Sequence, residues 1–353
     1  MKHIKGFDGL RAVSIVLVIL AHAGTWDRFQ HSEAFLRNFD LFTGVLGVKI
    51  FFCLSGFLIT YLLLNEQQQK GQINFKFFFI RRFLRLTPPL LIFYAAIVVL
   101  MSIGALKRDF IAIGISFFYL YNFVPRRFYT PELGHTWSLA VEEQFYLIWP
   151  FVLSAIRRLQ KRIIIILSCL SLCLIWSLSY DFCFTFKGQE DHLSHYFFVE
   201  RWFLPACLPI MFGALAALLL FHKNDWLVGL IKNSWWWPVL CMLFFPLQHL
   251  LNLPEWLPFL GIPILCSILL LWVFLHQESF LVRLLEFRPL AFIGKISYGL
   301  YVYQGLFLRT GIGGKLSIQQ APLNLVLTVT IALISYFFIE RRVLRYKATF
   351  SVG

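Results

Sequence analysis

Charge is scarce in this chain. Of its 353 residues 14% are charged, against 59% that are hydrophobic. That shortage excludes a soluble domain of this length, which carries about one quarter charged residues. Disulfide chemistry is poorly supplied too. Seven cysteines are scattered, all but Cys183 inside apolar runs and none in a CxxC pair. Neither a disulfide framework nor a structural zinc site is expected, and no metal is called for. No small-residue cleavage site follows the first apolar run, and Arg11 and His22 would be out of place in a signal peptide. Internal repeats, low-complexity tracts and soluble appendages are also missing, so 1–353 reads as a single integral domain.

Hydrophobic runs fill the space instead. Eleven apolar segments lie at roughly 8–25, 42–64, 84–105, 110–124, 137–156, 163–180, 201–221, 235–253, 257–275, 289–308 and 322–340. Most are long enough to span a bilayer, which predicts an all-α, multi-pass bundle. The net charge of +14 sits between the runs, as the positive-inside bias produces, and no basic-aromatic motif points to nucleic acid. Lys2 and Lys5 place the N-terminus inside, and Arg341, Arg342, Arg345 and Lys347 place the C-terminus there too. Both ends on one side require an even number of crossings. Arg157, Arg158, Lys161 and Arg162 also read as inside after only five segments, so one of those five does not cross. The shortest, 110–124, is predicted to be re-entrant or interfacial, leaving about ten transmembrane helices. Arg126 and Arg127 then lie outside, against the charge rule, as do Arg309 and Lys315. The loop 181–199, with Asp181, Glu190 and Asp191, reads as outside, and Lys223 as inside.

The organising stretch is Gly6-Phe7-Asp8-Gly9-Leu10-Arg11, followed by an apolar run to Ala21-His22. On a helix eleven residues turn through about 1100°, about 20° past three turns, so Arg11 and His22 share a face about 16 Å apart. Ionisable groups at such depths usually face a bundle interior or a wet cavity. The plain alternative is a boundary arginine and a satisfied core histidine. Ser55-Gly56, within Phe51-Phe52-Cys53-Leu54-Ser55-Gly56-Phe57-Leu58, makes a notch for a neighbouring helix or a ligand. Arg81-Arg82-Phe83-Leu84-Arg85-Leu86-Thr87-Pro88-Pro89 places three guanidiniums at the inner surface, with Arg81 and Arg85 on one face. They suit a phosphate-rich ligand or a lipid headgroup. The two prolines predict a broken or kinked helix.

His135-Thr136-Trp137-Ser138-Leu139-Ala140-Val141-Glu142-Glu143-Gln144-Phe145-Tyr146-Leu147 is the strongest local signal. Two adjacent carboxylates in an apolar helix are hard to explain as packing, and pointing about 100° apart they need not share a role. Near the C-terminus Ser297, Tyr298, Tyr301 and Gln304 put polar groups in an apolar helix, and Glu340 beside Arg341 and Arg342 suggests a salt bridge or boundary residue. Charged groups sort into two layers: Arg11, Arg81, Arg82 and Arg85 inner, His22, Glu142 and Glu143 outer.

Four of these motifs in this order, with Ser297-Tyr298, resemble the acyltransferase-3 family of membrane acyltransferases over the whole chain. The resemblance implies transfer of an acyl group, commonly acetyl, from cytoplasmic acyl-CoA to a hydroxyl. Its implied acceptors are surface polysaccharides such as O-antigen, lipid-linked glycan precursors or small molecules such as macrolides. It implies a bacterial cytoplasmic (inner) membrane location, in contact with membrane lipid. His22, Glu142, Glu143 and Arg11 would then be catalytic. Arg81, Arg82 and Arg85, with Ser55 and Gly56, would hold acetyl-CoA. Asp8, Trp137, Tyr298, Tyr301 and Gln304 would contact substrate. Two departures stand out: Gln304 occupies a position usually held by histidine, and Arg342 one often held by proline. Many members carry an extracytoplasmic SGNH domain after the membrane part, so a chain ending at Gly353 is expected to act alone or pass its acyl group to a separate extracytoplasmic partner. The acceptor side is expected at the loops 126–137 and 181–199, where Tyr129, His135, His192 and His195 are available. A transporter or flippase of a lipid-linked glycan would also use intramembrane His, Glu and Arg, but no internal repeat supports it. A non-enzymatic scaffold leaves the charges inside apolar helices unexplained.

Overall fold

The computed structural model describes residues 4–23, 34–181, 192–222, 225–251, 256–308 and 317–347. Lys2, Glu190, Asp191, Lys223, Arg309 and Lys315, used above for topology, lie outside the described residues. Among the described residues the chain is helical and has no β-strand beyond a single bridge, Pro125 to Phe197. In chain order the helices are α1 (Phe7–His22), α2 (Ala34–Lys70), α3 (Phe75–Ser102), α4 (Phe110–Phe117), α5 (Thr136–Ala155), α6 (Leu159–Asp181), α7 (His192–Tyr196) and α8 (Phe203–Ala206). They continue with α9 (Leu208–Phe221), α10 (Asp225–Lys232), α11 (Trp237–Leu250), α12 (Trp256–Leu275), α13 (Phe280–Leu285), α14 (Arg288–Phe307), α15 (Leu323–Ser335) and α16 (Arg341–Lys347).

Each predicted apolar segment carries a helix. Five stretches are long and apolar enough to cross a membrane: Gly44–Lys70, Phe75–Ser102, Leu159–Ser177, Leu257–Leu275 and Leu323–Val343. The outward faces are apolar as well, with Val99, Phe118, Phe151 and Ile175 exposed, as lipid-facing side chains are. The segment 110–124 differs. Its helix α4 has 8 residues, about 12 Å, and 3-10 turns follow at Tyr121–Phe123, Arg126–Phe128 and Pro131–Leu133. That length cannot span a bilayer.

Close backbone contacts hold the bundle together. Gly6 caps α1 with φ +89°, a conformation that costs glycine little, and its N–H donates to Glu286 Oε1 at 2.6 Å. Glycine elsewhere removes the side chain that would keep helices apart. A Cβ at Gly9 would meet the Leu285 backbone, and one at Gly294 would overlap the Asp8 carbonyl. Gly47 lies against Ser14 and Val18, so α1 and α2 run antiparallel in contact. Gly56 meets the Ile210 carbonyl and Gly213 the Cys53 carbonyl, which locks α2 to α9 from both sides. The notch at Gly56 is therefore filled by a helix and not by a ligand.

The expected break at Pro88-Pro89 does not occur. One helix runs from Phe75 to Ser102 through both prolines. The Tyr298 hydroxyl of α14 donates to the Leu86 carbonyl at 2.7 Å, beside the turn whose donors the prolines remove. Glu340 closes a π-helical turn, Tyr336–Glu340. In place of a salt bridge to Arg341 or Arg342 it is buried, accepting from Ser335 Oγ at 3.1 Å, which in turn accepts from Tyr303 at 2.9 Å.

This packing predicts a contrast between two helical glycines. Gly56→Ala should lower thermal stability in lipid by about 1–3 kcal/mol, the usual cost of overpacking. Gly114→Ala on α4 has open space around it and should be neutral or slightly stabilising. Equal melting of the two variants would contradict the α2–α9 contact.

Candidate active site

Five helices converge on one cleft of about 700 Å³, counted with its open mouth. Arg11 enters from α1, Ser55 from α2, Arg82 and Arg85 from α3, Ser138, Glu142 and Tyr146 from α5, and Ser297, Tyr298 and Tyr301 from α14. Apolar walls come from Val48, Phe51, Phe52 and Leu139. A polar cleft inside an apolar bundle must satisfy its own groups, because lipid offers them no partner.

Glu142 is the hub. Its Oε1 accepts from Ser55 Oγ at 2.8 Å and its Oε2 from the Tyr146 hydroxyl at 3.4 Å. The first bond ties α2 to α5, the second lies within α5, and together they fix the carboxylate. The Arg82 guanidinium lies over the Tyr146 ring, 4.7 Å from its centroid, and 5.8 Å from that of Phe78. Stacked this way a guanidinium keeps its edge N–H groups free for an anion. Arg11 pairs with Asp8 at 3.2 Å. Among the described residues no carboxylate lies within ion-pairing distance of Arg82 or Arg85. The cleft therefore gathers three guanidiniums, of which Arg11 alone stands in an ion pair among the described residues.

The α5 N-terminus builds the opposite end. Ser138 Oγ and the Tyr301 hydroxyl lie 2.5 Å apart, and both reach the His135 carbonyl at 3.1 Å. The His135 imidazole is buried, edge-on to Phe93 and Tyr301 at 5.3 and 5.6 Å between ring centroids, in space that Gly305 leaves open. His22 is not among the cleft-lining residues and stands at the end of α1 beside Gly44 of α2, within electrostatic reach of His135. His22 Nδ1 stands 2.7 Å from the Val18 carbonyl. A carbonyl can only accept, so Nδ1 carries the proton and Nε2 holds the lone pair. The backbone of α1 thus sets the tautomer.

Other expected residues fall outside the cleft lining. Arg81 turns away from Arg82 and Arg85 to Glu66, at 3.1 Å, and Glu66 also accepts the Asn74 N–H at 3.0 Å. The pair facing the cleft is Arg82 and Arg85, spaced i and i+3, rather than Arg81 and Arg85. Glu143 is not among the cleft-lining residues, and its Oε1 is buried without a hydrogen-bond partner among the described residues. Asp8 holds Arg11, Gly56 packs on α9, and Gln304 is fully buried in the bundle interior. Trp137 sits just beyond the Ser138 end, edge-on to Phe52 at 6.0 Å. Sequence reasoning gave no site role to Ser138, Tyr146 or Ser297, although all three stand in the motifs, and it offered His135 only as a loop residue on the acceptor side. The i, i+4 spacing of Glu142 and Tyr146 was the signal available for Tyr146. Among the described residues no group of three or more His, Cys, Asp or Glu could hold a metal.

Residues 4–340 match the family described as Acyltransferase domain, acyltransferase-3. Two relatives are 30% identical to this chain over 96% of its length. "Peptidoglycan O-acetyltransferase OatA" of Listeria monocytogenes is covered to 55% of its own length, and "Putative O-acetyltransferase SACOL0978" of Staphylococcus aureus to 57%. The chain spans about half the length of these named relatives. No solved structure matches. With a family match over nearly its whole length, carried by motifs that build one charged cleft, the chain belongs to the acyltransferase-3 family of membrane acyltransferases.

Proposed function

We propose that this protein is an O-acetyltransferase that moves an acetyl group from acetyl-CoA to a hydroxyl of a cell-envelope glycan. The observation that carries the proposal is the cleft in which Arg82 and Arg85, neither in an ion pair among the described residues, share a wall with the Glu142–Ser55–Tyr146 network. Guanidiniums bind phosphates through two parallel N–H groups, so Arg82 and Arg85, with Arg11 beside them, fit the phosphates of CoA. The narrow pantetheine arm then runs along Ser55 and Glu142 toward Ser138 and Tyr301. The relatives' names give the acetyl group, and one of them names peptidoglycan, which favours a wall glycan over O-antigen as acceptor. The proposal includes about ten crossings of the bacterial cytoplasmic membrane with both ends cytoplasmic, so that donor and acceptor reach opposite ends of the cleft.

The chemistry balances as follows. The acceptor hydroxyl oxygen adds to the thioester carbonyl carbon while His22 Nε2 takes the hydroxyl proton. The C–S bond then breaks, and CoA leaves as thiol on receiving that proton. A route through a transient acetyl on Nε2 uses the same lone pair. Glu142, held by two hydroxyls, orients the arm between the guanidiniums and the Ser138–Tyr301 pair. Ser138 and Tyr301, bonded to each other and to the His135 carbonyl, border the end where the acyl group arrives.

Radiolabelled acetyl-CoA with purified protein in lipid tests this directly. Wild type should release CoA in the presence of crude envelope glycan, and His22→Ala should not, with normal membrane insertion. Full activity in the mutant sinks the mechanism. No turnover by wild type turns the reading toward a transporter. Donor affinity separates the arginines. Arg82→Ala should weaken acetyl-CoA binding by about ten- to a hundred-fold, the range of a lost charge-assisted bond. Arg81→Ala should leave that affinity within about two-fold while lowering stability, because Glu66 loses its cation. The reverse order would contradict the placement of the donor.

A further inference from the structure

The arginines at 126 and 127 were expected on the outer side, against the charge rule, and the cleft leaves them unused. The structure gives Arg126 a setting. Its guanidinium lies 4.2 Å from the Phe198 ring centroid, and the Arg201 guanidinium lies at the same distance from the same ring. Arg201 also stands 5.6 Å from the Tyr129 ring and 5.8 Å from Trp137. Tyr129 and Phe198 are themselves in contact, at 4.8 Å. Two chain segments distant in sequence thus build one aromatic floor with two cations on it.

The floor is held in place. Tyr121 donates to the Thr130 carbonyl at 3.0 Å and accepts the Thr130 N–H at 2.9 Å, which closes the loop carrying Arg126 and Tyr129. The Pro125–Phe197 bridge joins that loop to the segment carrying Phe198 and Arg201. Arg201 is short of acceptors. Its Nε stands 3.7 Å from Glu200, a side chain 63% exposed, and its buried Nη1 has no hydrogen-bond partner among the described residues. A buried N–H with no acceptor is costly, and a ligand oxygen removes the cost. The location adds to this. Trp137 precedes Ser138, which lines the end of the cleft away from Arg82 and Arg85, so the floor lies one residue along α5 from that end.

We propose that Arg201, supported by Arg126 and Phe198, is an anion subsite for the acceptor, taking the oxygen pair of a carboxylate or phosphate carried by a glycan. Trp137 and Tyr129 offer apolar faces on which a neighbouring sugar ring stacks. This rests on the acetyl-transfer reading and adds to it that the preferred acceptor is an anionic glycan. A stacked guanidinium with a free edge binds such a group bidentately, which a lysine in its place cannot do. The anion has two sources: an acid group on the sugar, or the diphosphate of a lipid-linked precursor.

Three probes test it by equilibrium binding to the full chain in zwitterionic lipid discs. They are a neutral chitin tetrasaccharide, the same backbone bearing lactyl carboxylates on alternate sugars, and the neutral tetrasaccharide on a polyprenyl diphosphate. Wild type should bind at least one anionic probe about ten-fold tighter than the neutral one. That preference should shrink as salt rises from about 50 to about 300 mM. Whichever anionic probe shows the preference identifies the source. Arg201→Gln should bring the ratio to within about two-fold; if that variant does not fold, Arg201→Lys, which keeps charge and loses the fork, should still lower it. A wild type with no anionic preference, or one that binds none of the probes, overturns the subsite. So does a preference unchanged in these variants. Acetyl-CoA turnover by the same wild-type sample reports on the acetyl-transfer reading independently, so the two can fail separately.

Discussion

The site depends on one hydrogen bond, from Ser55 to Glu142 at 2.8 Å. Within an apolar bundle a carboxylate has no water to turn to, so its partners must come from neighbouring helices. Ser55 supplies one from α2, Tyr146 supplies another from the next turn of α5, and Arg82 stacks on Tyr146 from α3. Three helices are thereby registered around one charge. The same group orders the cleft, since the arginines lie to one side of Glu142 and the Ser138–Tyr301 pair to the other.

Glycine makes that convergence possible. Arg11 reaches the cleft because α1 lies in backbone contact with α14 at Gly294 and with α2 at Gly47. α2 offers Ser55 to the cleft because Gly56, the next residue, faces the other way into α9. Neighbouring residues on a helix point about 100° apart, so one packs while the other works. Glu142 and Glu143 divide in the same way, as do Arg82 and Arg81. The motifs are dense because structural and chemical residues alternate along each helix.

Much of this was legible beforehand. Apolar length alone placed the long helices, though not the short α7, α10, α13 and α16, and the brevity of 110–124 set α4 apart from the rest. The scarcity of charge made each intramembrane Arg, Glu and His conspicuous, so Arg11, Arg82, Arg85 and Glu142 could be named before any geometry. What stayed hidden depended on helix rotation. Nothing local says whether Arg81 or Arg82 faces inward, because that is settled by Glu66, on another helix. The helix α3 continues through Pro88 and Pro89, and nothing local shows that Tyr298 bonds its Leu86 carbonyl from 212 positions away. His135 read as a loop residue because nothing in the sequence shows that Gly305 makes room for its ring.

The central claim is that CoA lies in this cleft, its phosphates on Arg82 and Arg85 and its thioester end toward Ser138 and Tyr301. A cryo-EM map of the protein in lipid with a non-hydrolysable acetyl-CoA analogue tests this most directly. The account predicts phosphate density at the two guanidiniums and the acyl end beyond Glu142, on the His22 side. Density for the analogue outside the cleft, or reversed within it, would contradict the account.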